Sequence, residues 1–211
     1  MGRAGWRGYG RAAARMMFVT NFADPAVVLP LAIIAAVMLA FTGWWRGAAL
    51  WLAVVGATLG TMAVLKIALF ACGPMRFGGL VQSPSGHTAS AAIIYGGLAA
   101  LVARRYGAGV IPAFLPAPMA AALIGFSRMT LDAHTLPEVV IGGLVGCAGA
   151  LALLLLAGTP PPRLKLPRLL GPALVVVVVM HGYQLHAEAE LHALVVHYRW
   201  IASFCGARGA P

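Results

Sequence analysis

Three short stretches of this chain collect side chains able to hold and transfer a phosphate group: Lys66 to Pro74, Ser83 to His87, and Ser127 to Glu138. In the second, Ser83-Pro84-Ser85-Gly86-His87 predicts a helix start, with Ser83 at the N-cap and Pro84 at the first helical position. The backbone N–H groups of Ser85, Gly86 and His87 would then point out of the positive end of the helix dipole, and Gly86 would let an anion come close. That arrangement is a phosphate cradle. The same residues also suit an ordinary cap with a surface histidine.

In the third stretch Arg128 offers a fork of donors matched to phosphate oxygens, and His134 can act as a nucleophile once an acceptor holds its second ring nitrogen. Glu138 follows one helical turn later and can be that acceptor. Thr135-Leu136-Pro137-Glu138 equally fits a capping box, in which Glu138 serves the helix start. Asp132 is either a second acceptor or a solvated loop residue. In the first stretch Lys66 falls near the end of an apolar run, where a lysine either snorkels to the interface or serves a function. Arg76, just beyond, is either a loop charge or a further phosphate contact.

These groups are positioned by apolar elements. With 61% hydrophobic and 9% charged residues and a mean hydropathy of +0.89, the chain cannot be an ordinary soluble domain. Runs long enough for about 30 Å of hydrocarbon extend over residues 25–42, 48–71, 88–103, 110–126, 135–157 and 169–180. They predict an all-α, polytopic transmembrane helix bundle of about six spans, with the three stretches at helix ends by the membrane surface.

The bundle is expected to occupy residues 24–182. Residues 1–23 carry Arg3, Arg7, Arg11 and Arg15 at fourfold spacing beside Trp6, Tyr9 and Phe18, which suits an amphipathic helix in the headgroup layer or, equally, a disordered basic tail. A secretory signal fits less well, because the basic region is long and Asp24 and Pro25 interrupt it. Residues 183–211 have the mixed polarity of an amphipathic or surface segment. Cys72, Cys147 and Cys205 lack metal-ligand spacing and read as small apolar residues. The net charge of +10 suits loops facing anionic lipid; no aromatic-basic stacking surface accompanies it, so no nucleic-acid partner is expected. No cofactor fingerprint or clustered carboxylate metal site is evident, and neither cofactor nor metal is expected.

Together the three stretches resemble the signature of the type 2 phosphatidic acid phosphatase (PAP2) superfamily. That signature is lysine, six residues, Arg-Pro; then Pro-Ser-Gly-His; then Ser-Arg, five residues, histidine, three residues, aspartate. Here the first runs from Lys66 to Gly73-Pro74, the second is Pro84-Ser85-Gly86-His87, and the third runs from Ser127-Arg128 through His134 to Glu138. The resemblance covers about residues 20 to 157. Two positions depart from it: Gly73 stands where arginine is usual, removing a phosphate donor unless Arg76 reaches back, and Glu138 stands where aspartate is usual.

The resemblance implies an integral membrane phosphatase working without metal through a phosphohistidine. His134, oriented by Glu138, would attack phosphorus; His87 would protonate the leaving oxygen and then activate water. Lys66, Ser85, Gly86, Arg128 and Arg76 would bind the phosphate oxygens. This division of roles agrees with the local sequence, because Thr88, Ala89, Ser90 and Ala91 give His87 no carboxylate to fix its tautomer. Family substrates are phosphatidate, phosphatidylglycerol phosphate, prenyl diphosphates and lipid A phosphates, so the implied partners are a lipid or polyprenyl phosphate and membrane lipids. Basic residues flank both faces, and the positive-inside rule does not fix orientation. Family practice implies a site facing the periplasm of a bacterial inner membrane, both termini on that side, and a first family helix absent. Rival readings are a lipid phosphotransferase of the same fold and a non-catalytic lipid-binding or transport protein that retains it; vanadium haloperoxidases share the signature but are soluble.

Overall fold

A chain segment in hydrocarbon must satisfy its backbone N–H and C=O groups internally, so the apolar runs become helices. The structure, a computed structural model, describes residues 10–76, 81–185 and 187–197, with backbone alone at 73–76. Eight helices follow in order among these residues: α1 (Arg11–Asn21), α2 (Pro25–Phe41), α3 (Trp45–Arg76), α4 (Gly86–Arg105), α5 (Val110–Thr130), α6 (Leu136–Ala157), α7 (Leu166–Met180) and α8 (Ala187–His197). No strand occurs among the described residues.

Five spans among the described residues, Arg11–Phe41, Trp45–Cys72, Gly86–Arg105, Val110–Thr130 and Leu136–Ala157, are long and apolar enough to cross a membrane, and α7 is a shorter apolar sixth. The protein is therefore an all-α integral membrane bundle, as the hydropathy predicts. Residues 11–21 of the basic N-terminal segment are helical and run almost into α2, while residues 1–9 lie outside the described residues.

Contacts bring the turn before α2, the end of α3, the start of α4, the end of α5 and the start of α6 together at one end of the bundle. Asp24 starts α2 there: its Oδ1 accepts the Ala26 N–H at 2.9 Å, and Pro25 occupies the first helical position, where no N–H is needed. Pro30 inside α2 and a π-helical turn at Ala92–Gly96 in α4 are irregularities that neighbouring helices can accommodate. The Tyr95 hydroxyl in that π turn donates to Phe22 O at 2.6 Å, and the Ser90 hydroxyl donates to Ala23 O at 3.0 Å. These bonds bolt the turn before α2 onto α4.

The core is centred on Trp51, Leu31, Ile93, Leu101 and Leu153, all essentially inaccessible. Trp51 keeps its one polar atom satisfied by donating Nε1–H to Ala32 O at 2.8 Å. Hydrophobic burial does not draw helices together in lipid, so close van der Waals contact must. Two glycines of α6 provide it: a Cβ on Gly142 would lie 2.3 Å from Ser85 O, and one on Gly146 would lie 2.4 Å from Ala89 O. The first turn of α4 is thereby laid against the second and third turns of α6.

Candidate active site

The sequence expectation for the start of α4 requires a correction. Ser85, not Ser83, is the N-cap, and the helix begins at Gly86 rather than Pro84. Ser85 is wholly buried; its Oγ accepts from the Thr88 hydroxyl at 2.8 Å and faces the Thr88 N–H at 3.4 Å. Its own N–H donates to Glu138 O at 3.0 Å, so it is not a free donor for an anion. Gly86 and His87 begin the helix, where N–H groups have no intrahelical acceptor, and both line the site cavity.

Glu138 joins the second and third stretches. Its Oε2 meets His134 Nδ1 at 3.1 Å and accepts the Thr135 N–H at 3.0 Å. Its Oε1 accepts the N–H groups of Gln82 and Ser83 at 2.7 and 2.8 Å. The two sequence readings of Glu138 are thus compatible, since one carboxylate serves the helix start and orients the histidine. The reach to Gln82 and Ser83 also makes use of the methylene by which glutamate exceeds aspartate. Asp132, the other candidate acceptor, is exposed in a left-handed turn with φ 51° after α5. It is the solvated loop residue of the two readings.

His134 lies in the loop between α5 and α6 and is only 9% exposed. Burial and then the nearby Arg128 charge push its pKa below the usual histidine value, against the opposing hydrogen bond from Glu138. The imidazole is therefore neutral at pH 7, with Nδ1 engaged and Nε2 left for chemistry. Lys66 and Glu188 lie close enough for their charges also to act on it.

Lys66 is buried at 6% exposure and does not snorkel: its Nζ donates to Ser83 Oγ at 2.6 Å and pairs with Glu188 Oε2 at 3.1 Å. Arg128 points into the same space, and its buried Nε finds no acceptor among the described residues. The Nε atoms of Arg104 and Arg105, away from the site, are unpaired in the same way, so it is the position of Arg128 in the cavity lining that marks it. Lys66, Gly86, His87 and Arg128 line one cavity of about 470 Å³, whose remaining wall is largely apolar, including Val28, Leu29, Leu59 and Met62. Gly73 falls within α3, while the side chain of Arg76, expected to replace the missing arginine, lies outside the described residues.

Two carboxylates at the site were not assigned there by the sequence. Asp24 Oδ2 lies 3.7 Å from His87 Nε2, which corrects the expectation that no carboxylate attends His87; the partner comes from another helix. Glu188, at the start of α8, accepts from Ser83 Oγ as well as pairing with Lys66. Burial would raise its pKa, but the Lys66 charge and the Ser83 hydrogen bond outweigh that and hold it below the usual carboxylate value. A signal for both existed. The chain has only five acidic residues, so each one bordering an apolar run must have a cation or donor to face.

The cysteines divide. Cys147 is a free, half-buried thiol, as a small apolar residue would be. Cys72 is disulfide-bonded, which corrects that reading for it, and Cys205 lies outside the described residues.

The family model for the PAP2 superfamily matches residues 49–160, which contain all three stretches. The chain belongs to the PAP2 superfamily. A curated relative from Klebsiella pneumoniae, described as an uncharacterized 22.5 kDa protein in the cps region, is 37% identical over 81 residues. That match covers 37% of this chain and 39% of the relative. No solved structure matches at a significant level. Superfamily members are generally phosphatases.

Proposed function

We propose that this PAP2 protein is a metal-independent phosphatase of lipid or polyprenyl phosphates that works through a phosphohistidine on His134. The observation that carries the reading is the buried His134–Glu138 pair, within reach of the Lys66, Arg128 and Glu188 charges, next to a cavity lined by Lys66, His87, Arg128 and Glu188 with an otherwise largely apolar wall. A phosphate would meet the basic lining residues, and the attached hydrocarbon would lie along the apolar ones. His134 Nε2 attacks phosphorus as the ester bond breaks, and His87 gives a proton to the departing oxygen. Water then displaces the phosphoryl group from His134, with His87 taking the proton back. Lys66, Arg128 and the Gly86 N–H balance charge on the equatorial oxygens. Ser85 serves by shaping the loop, and Arg76 supplies the charge that Gly73 cannot.

The test is phosphate release from a panel of lipid phosphates by purified protein in detergent, with chelator present, together with trapping of an acid-labile phosphoenzyme. Release that disappears with chelator and returns with magnesium refutes the reading, as does absence of release across the panel.

We infer that the site faces outward from a bacterial inner membrane. The support is the usual placement of the site in this superfamily, since basic residues flank both faces and do not fix orientation. An impermeant maleimide should label Asp132→Cys in intact cells; labelling only after lysis reverses the orientation.

A further inference from the structure

Asp24 does more than its position in the sequence requires. As the cap of α2 it needs one oxygen, and asparagine or serine would serve as well. Oδ1 fills that role, accepting from Ala26 N at 2.9 Å and from Leu185 N at 3.0 Å. Oδ2 is left in a residue only 4% exposed, facing His87 Nε2 at 3.7 Å. A buried carboxylate is costly without a charged or donor partner. The approach is also fixed from outside the pair, because Ser90 and Tyr95 of α4 both bond the backbone of the turn that carries Asp24. Asp24 and His87 therefore cannot drift apart unless the turn leaves α4.

We propose that Asp24 is the positioning residue for the acid–base histidine, so that the site contains two histidine–carboxylate pairs: Glu138 with His134 and Asp24 with His87. The inference rests on the phosphatase reading above. Asp24 holds the proton of His87 on Nε2 and leaves Nδ1 to work. In the first step the protonated ring gives its Nδ1 proton to the leaving oxygen, and the neutral ring keeps Nε2–H toward Asp24. In the second step Nδ1 takes a proton from the attacking water, and the imidazolium is again balanced by Asp24. The separation of 3.7 Å belongs to the resting site, and such contacts commonly tighten when the ring is charged. The other charged groups facing His87 are Lys66 from α3 and Arg128 from α5, both cations. Asp24 is the carboxylate that offsets them.

Asp24→Asn keeps an oxygen for Ala26 and Leu185 and removes only the charge. With an alkyl phosphate, whose leaving oxygen needs a proton, kcat/KM should fall about 10- to 100-fold, and with a nitrophenyl ester, which scarcely needs one, it should stay within about twofold. Added to His87→Ala, the substitution should cost nothing further, because the two residues act as one unit. Equal losses on both substrates, or none, would overturn the proposal while leaving the hydrolase reading intact. Side-chain nitrogen NMR of His87 decides the pairing independently of turnover. The wild type should show the Nε2-protonated ring and Asp24→Asn a mixture of tautomers; identical spectra would refute the pairing even if no substrate were hydrolysed.

Discussion

The two ends of this bundle differ in how they hold their charges. At the end away from the site, Arg46, Arg163, Lys165 and Arg168 are exposed, and Arg105 rests on the Pro162 carbonyl at 2.9 Å. The four exposed charges are screened by water or headgroups, and Arg104 and Arg105 are tied only to backbone carbonyls, those of Ala108 and Pro162. At the site end Asp24, Lys66, His134 and Glu138 are buried, and each has a named polar partner. Charge balanced against water or headgroups stays outside, whereas at the site end four ionisable groups are taken inside and held by polar partners.

The comparison breaks most sharply at His134. His134→Ala should abolish phosphoenzyme formation with every substrate and lower turnover by on the order of 10³-fold or more, measured by acid-labile phosphate trapping. If phosphate is still trapped on that variant, His87 becomes the covalent residue. Gly142→Ala should come next, because its Cβ would meet the Ser85 carbonyl at 2.3 Å and the contact is with backbone rather than a movable side chain. A loss of about 1–3 kcal/mol in detergent unfolding is expected, together with lowered turnover. Unchanged stability would mean that α4 and α6 can separate freely.

Arg76→Ala should cost about 1 to 3 kcal/mol in kcat/KM, as loss of a charged hydrogen bond does, and an unchanged rate would return Arg76 to the loop charges of the opposite kind. The pH dependence sharpens the picture further. If His134 is the nucleophile it must be neutral to attack, and burial holds its pKa below the usual histidine value of 6.5, so attack is available above that lowered pKa and is lost as pH falls through it. The acid limb of phosphoenzyme formation from a nitrophenyl ester should therefore fall below pH 6.5, and a limb above it would contradict the buried setting. Smallest of all, Arg163→Ala with Lys165→Ala should leave activity unchanged and shift stability by no more than about 0.5 kcal/mol.

Much of this was legible in the chain. Hydropathy marks the spans because hydrocarbon allows few alternatives to a helix, and the spacing from His134 to Glu138 places them one turn apart whatever the rest of the molecule does. The Ser83 cap could not be corrected from sequence, since Ser83 and Ser85 are equally good caps and what selects Ser85 is the bond from its N–H to Glu138 O, 53 positions away. Asp24 and Glu188 escaped for the same reason. Asp24 reaches His87 from α2, and Glu188 reaches Lys66 from α8, and no local spacing encodes either meeting.

The glycine face of α6 bears on how the protein lives with its bilayer. Membranes of different thickness are met by tilting and sliding of helices, and a site assembled from the ends of five helices would ordinarily change its dimensions with each adjustment. Where α4 and α6 touch, backbone rests on backbone at Gly142 and Gly146 with no side chain between to bend or change rotamer. That pair can tilt only as a unit. The distance from the start of α4 to His134 and Glu138 is thereby insulated from lipid composition, and the accommodation falls on helices such as α7 that lie outside this contact.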